Sequence, residues 1–145
     1  MECEMPTVSS TNSQIKTILE ETKTIAIVGC SPDSSKASNK VANYLQNVGY
    51  RIIPIYPKEE EILGEKVYRS LSDIPSDIQI DMVDIFRKPA VIASVIDEVL
   101  VRKDVKCIWT QLGLVNNEAA KKASDLGFQV VQNKCTKIEH ANLFH

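Results

Sequence analysis

Long apolar runs are missing from this sequence of 145 residues, and no stretch approaches the roughly 20 apolar residues that a membrane-spanning helix needs. The first residues contain no signal-like segment either, so we expect a chain that is neither inserted into a membrane nor anchored to one. Basic blocks are also absent: 17 Lys and Arg residues stand against 19 Asp and Glu residues, with a formal net charge of -2. Because nucleic-acid binding depends on clustered cations, nucleic acid is a poor candidate partner.

Cysteine pairs and metal-ligand clusters are lacking too. The sequence has four dispersed cysteines without a C-x-x-C motif: Cys3, Cys30, Cys107 and Cys135. Its two histidines, His140 and His145, have no zinc-ligand spacing. We therefore expect no bound metal and a reducing, cytoplasmic environment.

The apolar residues that are present alternate between strand and helix patterns. Short apolar segments typical of buried strands occupy five ranges: 25–28, 51–55, 80–85, 107–109 and 128–131. Helical spacing follows Thr11, Ser38, Pro89 and Asn116, each of which suits the start of a helix. Residues 59–79 have no clear period and predict an irregular connection with one helical turn.

Strands that alternate with helices imply right-handed crossovers and a parallel sheet covered on both faces. We therefore predict an α/β fold of three layers (α/β/α), with a Rossmann-like doubly wound parallel sheet of about five strands in the order 3-2-1-4-5. The length suits one domain, assigned to residues 11–145 after a flexible segment, residues 1–10. This order would bring Gly29 and Thr110 face to face where the winding reverses, which is where such sheets bind ligands.

The turn after the first strand, in the segment TIAIVGCSPDSSKAS (24–38), is the best candidate for a ligand site. A strand followed by a loop and a helix presents unpaired N–H groups and the positive end of the helix dipole, which suit a phosphate. Gly29 would let a ligand approach the backbone, Ser31 and Ser38 would donate hydroxyl hydrogen bonds, and Lys36 would add a positive charge. In the alternative reading, Gly29 only makes the turn and one serine only caps the helix.

The second strand ends in Tyr56-Pro57-Lys58. Nicotinamide-binding folds normally carry an acidic residue here to hold the ribose, and they carry a G-x-G-x-x-G motif that this sequence lacks. Lys58 instead suits a phosphate on the ribose. A nicotinamide cofactor is thus the runner-up ligand, and the alternative role for Lys58 is that of a solvated partner for the acidic residues 59–61.

Six segments of the sequence together resemble the small stand-alone coenzyme A-binding proteins, in order and in separation. They are IAIVGCSP, YLQNVGYRIIPIYPK, ILGEKVYRSLSDIP, DMVDIFRKP, IWTQLGLVNNEAAKKA and NKCTKIEH. The resemblance runs from about Thr24 to His140. It extends to the nucleotide-binding domain at the start of the succinyl-coenzyme A synthetase alpha subunit.

The resemblance implies a ligand, coenzyme A (CoA) or an acyl-CoA, and residues for each part of it. The residues implied for the pyrophosphate form the turn after the first strand: Gly29, Cys30, Ser31 and Pro32. Lys58 is implied for the phosphorylated adenosine end, and Phe86 and Arg87 for the adenine, on which a ring or a guanidinium plane can stack. The residues implied for the pantetheine side follow the fourth strand: Thr110, Gln111 and Gly113. The alternatives are ordinary packing for Phe86 and hydrogen bonding to the loop backbone for Gln111.

Catalytic machinery is not evident in the sequence. Cys135, Glu139 and His140 have no helical pattern to align them, so we expect His140 to anchor the carboxyl-terminal tail. The synthetase carries its phosphorylated histidine in a later domain, with which no histidine here aligns. We therefore expect non-catalytic binding of CoA. The alternatives are an NAD(P)-dependent oxidoreductase and an acyl-CoA ligase-type subunit that needs a partner. Homo-oligomerisation is neither predicted nor excluded.

Overall fold

The computed structural model describes residues 10–144, so Cys3, His145 and the prediction for residues 1–9 lie outside the described part of the chain. Five parallel strands form the main sheet: β1 (Thr24–Val28), β2 (Arg51–Ile55), β5 (Met82–Ile85), β6 (Cys107–Thr110) and β7 (Gln129–Val131). A small antiparallel hairpin joins β3 (Glu61–Ile62) to β4 (Glu65–Lys66). The α-helices are α1 (Asn12–Glu21), α2 (Ala37–Asn47), α3 (Pro89–Val101), α4 (Asn117–Asp125) and α5 (Thr136–Leu143). Across residues 10–144, no helix is both long and apolar enough to cross a membrane.

The helices cover both faces of the sheet, which confirms the predicted α/β doubly wound class. One apolar cluster joins α1, α2 and α5 to the face that carries Ile25 and Ile27. A second cluster joins α3 and α4 to the face that carries Ala26 and Val28. Successive residues of β1 thus enter opposite cores, which explains why the strand is a continuous apolar run.

The predicted strand order 3-2-1-4-5 is wrong. The sheet has the order β2-β1-β5-β6-β7, so the third parallel strand pairs directly with the first, with Ile25 opposite Met82 and Val28 opposite Ile85. β2 is therefore one of the two edge strands of the five-stranded sheet. Pro54 lies in β2 and cannot donate a ladder hydrogen bond, which an edge strand tolerates and an internal strand does not.

Helix starts agree with the sequence predictions in three places and differ in one. The capping box of Thr11 and Gln14 is present, the Asn116 side chain accepts a hydrogen bond from the Ala119 amide, and Pro89 is the first residue of α3. Ser38, however, does not cap α2. The N-cap residue is Lys36, and Ser38 lies within the first turn of the helix.

One hairpin and one helix were not predicted. The connection 59–79 contains the hairpin β3–β4 as well as the expected helical turn, a 3-10 helix at Leu71–Asp73. The last helix, α5, was missed because its residues do not form a clear apolar face: Thr136 is buried, whereas Ile138 is exposed. Contacts with α1 and α2 hold this helix in place.

Candidate functional site

Three loops meet where β1, β2 and β5 end. These are the phosphate turn (residues 29–36, after β1), the Lys58 loop (residues 56–60, after β2) and the segment 86–88 after β5. Because β5 lies between β1 and β6, the predicted juxtaposition of Gly29 and Thr110 is wrong. The strand ends that adjoin Gly29 are those of β2 and β5.

The first amides of the phosphate turn already have partners within the chain. Gly29 and Cys30 both donate to the Ile55 carbonyl oxygen, with N···O distances of 2.9 and 3.2 Å. The Ser31 amide donates to Ser38 Oγ at 3.0 Å, and Asn39 Nδ2 donates to the Ser31 carbonyl oxygen at 2.9 Å. These bonds fasten the turn to β2 and α2 and fix its backbone conformation.

Gly29 is required by the chain itself. Its φ of +86° lies in the left-handed region, and a Cβ atom there would be 2.9 Å from Arg87 Cδ and 3.2 Å from the Phe86 carbonyl oxygen. The sequence prediction gave this space to a ligand. In the structure, the Arg87 side chain occupies it.

The outer part of the phosphate turn is exposed and carries one negative and one positive side chain, Asp33 and Lys36. The Asp33 carboxylate accepts hydrogen bonds from the Ser35 hydroxyl at 2.7 Å and the Ser35 amide at 2.9 Å, which lower the pKa of Asp33. Lys36 and Pro32 are exposed. Lys36 makes no side-chain hydrogen bond to the first turn of α2, so the start of this helix has no side-chain cap from its N-cap residue.

Cys30 is fully buried beneath the turn. Burial, with a smaller contribution from the Asp84 charge, raises the pKa of Cys30 to about 12. The thiol is therefore neutral near pH 7 and is inaccessible to a ligand.

The Lys58 side chain is exposed, and among residues 10–144 no ion pair involves it. The backbone of the Lys58 loop is bound by Arg69, a residue that the sequence analysis did not single out. Arg69 Nη1 lies 3.1, 2.7 and 2.8 Å from the carbonyl oxygens of Tyr56, Lys58 and Glu59. Its only signal in the sequence is an arginine among uncharged residues in the segment VYRSL.

A cavity of about 160 Å³ opens between the Lys58 loop and α3. Its lining includes Gly29, two arginines (Arg69 and Arg87), the hydroxyl-bearing Ser94 and the acidic Glu98. The Ser72 hydroxyl and amide contact the Glu98 carboxylate at 3.2 and 3.4 Å. A larger cavity, of about 710 Å³, lies by the carboxyl end of α3, away from the phosphate turn.

The side chains of Phe86 and Arg87 lie in different environments, although the two residues are adjacent in the sequence. Phe86 is half-buried and packs against the core cluster of α1, α2 and α5. Arg87 is exposed and lines the cavity beside α3. The two side chains therefore do not form one platform for an adenine ring.

The loop after β6 turns its polar groups inward. Thr110 is buried and its Oγ1 accepts a hydrogen bond from the Asn133 amide at 3.3 Å, while the Gly113 amide donates to Asn133 Oδ1 at 2.7 Å. Gln111 is also buried. The side chain exposed on this loop is Leu112, which is 59% accessible.

Gln111 belongs to a buried polar cluster centred on Asp84, which the sequence analysis did not identify. The Asp84 carboxyl group, 0% exposed, accepts hydrogen bonds from Gln111 Nε2 at 2.5 Å and from the Thr136 hydroxyl at 2.9 Å. Burial raises the pKa of Asp84 to about 7, although both hydrogen bonds act in the opposite direction. The cluster ties β5 to the loop after β6 and to the first residue of α5.

His140 lies in an aromatic cluster between α2 and α5, away from the phosphate turn. Its Nδ1 is 2.8 Å from the Tyr44 hydroxyl oxygen, and its ring stacks on Phe144 with a centroid distance of 4.7 Å. Burial lowers the pKa of His140. These contacts agree with the expected anchoring role. Among residues 10–144, no group of three or more His, Cys, Asp or Glu residues is arranged to hold a metal ion.

Comparison with known proteins decides the family. The family model described as a CoA binding domain matches residues 23–141. The chain belongs to the CoA-binding domain family. This confirms the resemblance seen in the six sequence segments.

Proteins similar to this chain match along nearly their whole length or as part of a longer chain. An uncharacterized protein of Bacillus subtilis is 39% identical over 129 residues, which is 89% of this chain and 93% of that protein. The solved structure of a hypothetical protein from Pyrococcus horikoshii is 38% identical, covers 100% of both chains and has a TM-score of 0.89. The alpha subunit of an ADP-forming acetate–CoA ligase II from Pyrococcus furiosus is 25% identical, over 82% of this chain but 28% of that subunit.

Proposed function

We propose that this chain binds CoA or an acyl-CoA as a non-catalytic module in the cytoplasm. The observation that carries the proposal is the adjacency of two features at neighbouring strand ends. The start of α2, without a side-chain cap from Lys36, follows β1, and the exposed Lys58 follows β2. A helix start and an ammonium group are complementary to a diphosphate and a phosphorylated ribose.

The diphosphate is assigned to the first turn of α2 rather than to the amides at the beginning of the phosphate turn. The amides of Gly29, Cys30 and Ser31 are satisfied by Ile55 and Ser38, and breaking those bonds would cost free energy. The exposed Lys36 at the N-cap supplies charge beside the first turn of α2. Ser31 and Ser38 therefore shape the turn, and the proposed contact with phosphate moves a few residues along the chain.

The remaining parts of the ligand are assigned by exposure. Arg87, exposed and at the rim of the α3 cavity, is the proposed contact for the adenine, because a guanidinium plane stacks on a base. The pantetheine arm is proposed to pass the loop after β6 at its exposed residue, Leu112. Thr110 and Gln111 support that loop from within.

Thermal shift with a ligand series tests this function. CoA is expected to raise the melting temperature well above the shift given by dephospho-CoA, NAD or NADP, because only CoA offers a 3′-phosphate to Lys58. The substitution Lys58→Met should remove the advantage of CoA over dephospho-CoA. Lys103→Met, an exposed lysine that lines the larger cavity by the carboxyl end of α3, serves as the control. Equal shifts for CoA and dephospho-CoA in the unaltered protein would contradict the role of Lys58.

A ligase-type subunit is the second candidate, favoured by the match to part of an acetate–CoA ligase alpha subunit. In that case the chain would present CoA to a catalytic partner. Acyl-CoA formation on adding the chain to a ligase whose own CoA-binding domain has been deleted but whose phosphorylated histidine is retained, and its loss in Lys58→Met, would support this candidate. A larger thermal shift with NADP than with CoA would instead favour the oxidoreductase alternative.

A further inference from the structure

We propose that Arg69 is a positioning residue that holds the Lys58 loop in the conformation in which Lys58 meets the phosphorylated ribose. This inference rests on the proposed function and adds a residue to it. Arg69 would set the preference for CoA over dephospho-CoA without being the principal contact for the phosphate.

The first support is the hydrogen bonding of the guanidinium group. A single nitrogen, Nη1, lies within 3.1 Å of the carbonyl oxygens of Tyr56, Lys58 and Glu59. Its two N–H groups are shared among these three acceptors, which all belong to the Lys58 loop. Carbonyl groups at three positions of one loop are thereby directed at one cation, and this fixes the backbone from which the Lys58 side chain projects.

The second support is the rigid attachment of Arg69 itself. Its neighbour Tyr68 forms a parallel bridge with Ile55 at the end of β2. The Tyr56 amide donates to the Tyr68 carbonyl oxygen at 3.0 Å, and the Tyr68 amide donates to the Pro54 carbonyl oxygen at 3.1 Å. Arg69 therefore reaches the loop from backbone that is hydrogen-bonded to the sheet.

The third support is that the conformation of the Lys58 loop is unfavourable without an additional interaction. Glu59 has a φ of +71°, a left-handed conformation that is unfavourable for a residue with a side chain. Residues 59–61 are three consecutive glutamates, which repel one another and oppose the approach of an anion. The ion pair between Arg69 Nη2 and Glu60 Oε1 is long, at 3.8 Å, and Glu60 is 99% exposed, so the backbone bonds carry most of the effect.

Lysine cannot replace arginine in this role. An ammonium group is a compact donor on a flexible stem, whereas the planar guanidinium group presents donors in a fixed array. Arg69→Lys keeps the charge beside the α3 cavity and loses the array. The pair of variants Arg69→Lys and Arg69→Gln thus separates the charge of Arg69 from its geometry.

Calorimetric titration with CoA and with dephospho-CoA tests the proposal. Arg69→Gln and Arg69→Lys are both expected to weaken CoA binding about tenfold and dephospho-CoA binding by less than about twofold. Adding Lys58→Met to Arg69→Gln should then change the preference little, because Lys58 is already misplaced. Arg51→Gln is the matched control, since Arg51 is exposed at the opposite end of β2.

Hydrogen–deuterium exchange without ligand tests the geometry separately. Exchange in a peptide covering residues 56–60 should be faster in Arg69→Gln than in the unaltered protein, while exchange in β1 stays unchanged. Retention in Arg69→Gln of both the CoA preference and the exchange rate of the unaltered protein would overturn the proposal. Failure of the unaltered protein to bind CoA would instead overturn the proposed function, and with it the role of Arg69 in recognition.

Discussion

The loops after β2 and after β6 were both expected to contact the ligand. The first exposes its polar side chain, whereas the second buries it. Lys58, on the loop after β2, is exposed and takes part in no ion pair within residues 10–144. Gln111, on the loop after β6, is buried and bonded to Asp84 and Thr136. A polar residue at the end of a parallel strand can thus be available to a ligand, or it can stabilise the fold through buried hydrogen bonds. Changes near Gln111 should therefore affect stability, and changes near Lys58 should affect binding.

The largest expected effect is the pH dependence that Asp84 gives to stability. Its pKa rises from 3.8 in the unfolded chain to about 7 in the folded protein, so the folded state binds more protons between these values. The contribution of Asp84 to the free energy of unfolding should therefore fall as the pH rises from 4 to 7, by at most about 4 kcal/mol, and level off above that.

Denaturant unfolding of the unaltered protein and of Asp84→Asn, across this pH range, measures the effect. The variant should lack this part of the pH dependence, because an amide does not titrate. Parallel pH profiles for the two proteins would show that Asp84 is not the group responsible.

A smaller loss is expected from Gln111→Leu. This change keeps most of the side-chain volume but removes a hydrogen bond to a buried carboxyl group, which should cost about 3 kcal/mol at pH 8. Chemical denaturation checks the stability, and titration below the melting temperature checks that CoA affinity changes less than about twofold. A large loss of affinity in a folded Gln111→Leu protein would place Gln111 with the ligand after all.

Gly29→Ala should cost about 2 kcal/mol, because the new Cβ meets Arg87 and the backbone has a positive φ. Gly49→Ala is the matched control: its φ is +107°, but no atom lies within 4 Å of the added Cβ. The difference between the two unfolding free energies measures the contacts of the new Cβ with Arg87 and with the Phe86 carbonyl oxygen. If both variants lose the same stability, those contacts have no measurable cost.

Periodicity was enough to predict the strands of the main sheet and the first four helices. Periodicity did not predict the strand order, because the length of the connection 59–79 does not reveal which edge of β1 the next strand joins. The one sequence feature that indicated an edge position was Pro54 in β2. The partners of Asp84 and Arg69 were also beyond prediction. The hydrogen bond between Asp84 and Thr136 spans 52 positions and depends on α5, whose apolar pattern is weak.

Exposure and charge are local properties, so the exposed position of Lys58 after β2 could be predicted from its place at the end of a strand. The first amides of the phosphate turn were expected to be free to bind a ligand, but Ile55 and Ser38 accept their hydrogen bonds. Such competition between ligand and protein acceptors depends on tertiary contacts that spacing along the chain does not encode.

The most direct measurement is the ratio of the dissociation constants of dephospho-CoA and CoA for the unaltered protein and for Lys58→Met. We expect a ratio of about ten for the unaltered protein, falling to about one in Lys58→Met while the unfolding free energy stays within about 0.5 kcal/mol. The same ratio in both proteins would contradict a phosphate site at the end of β2.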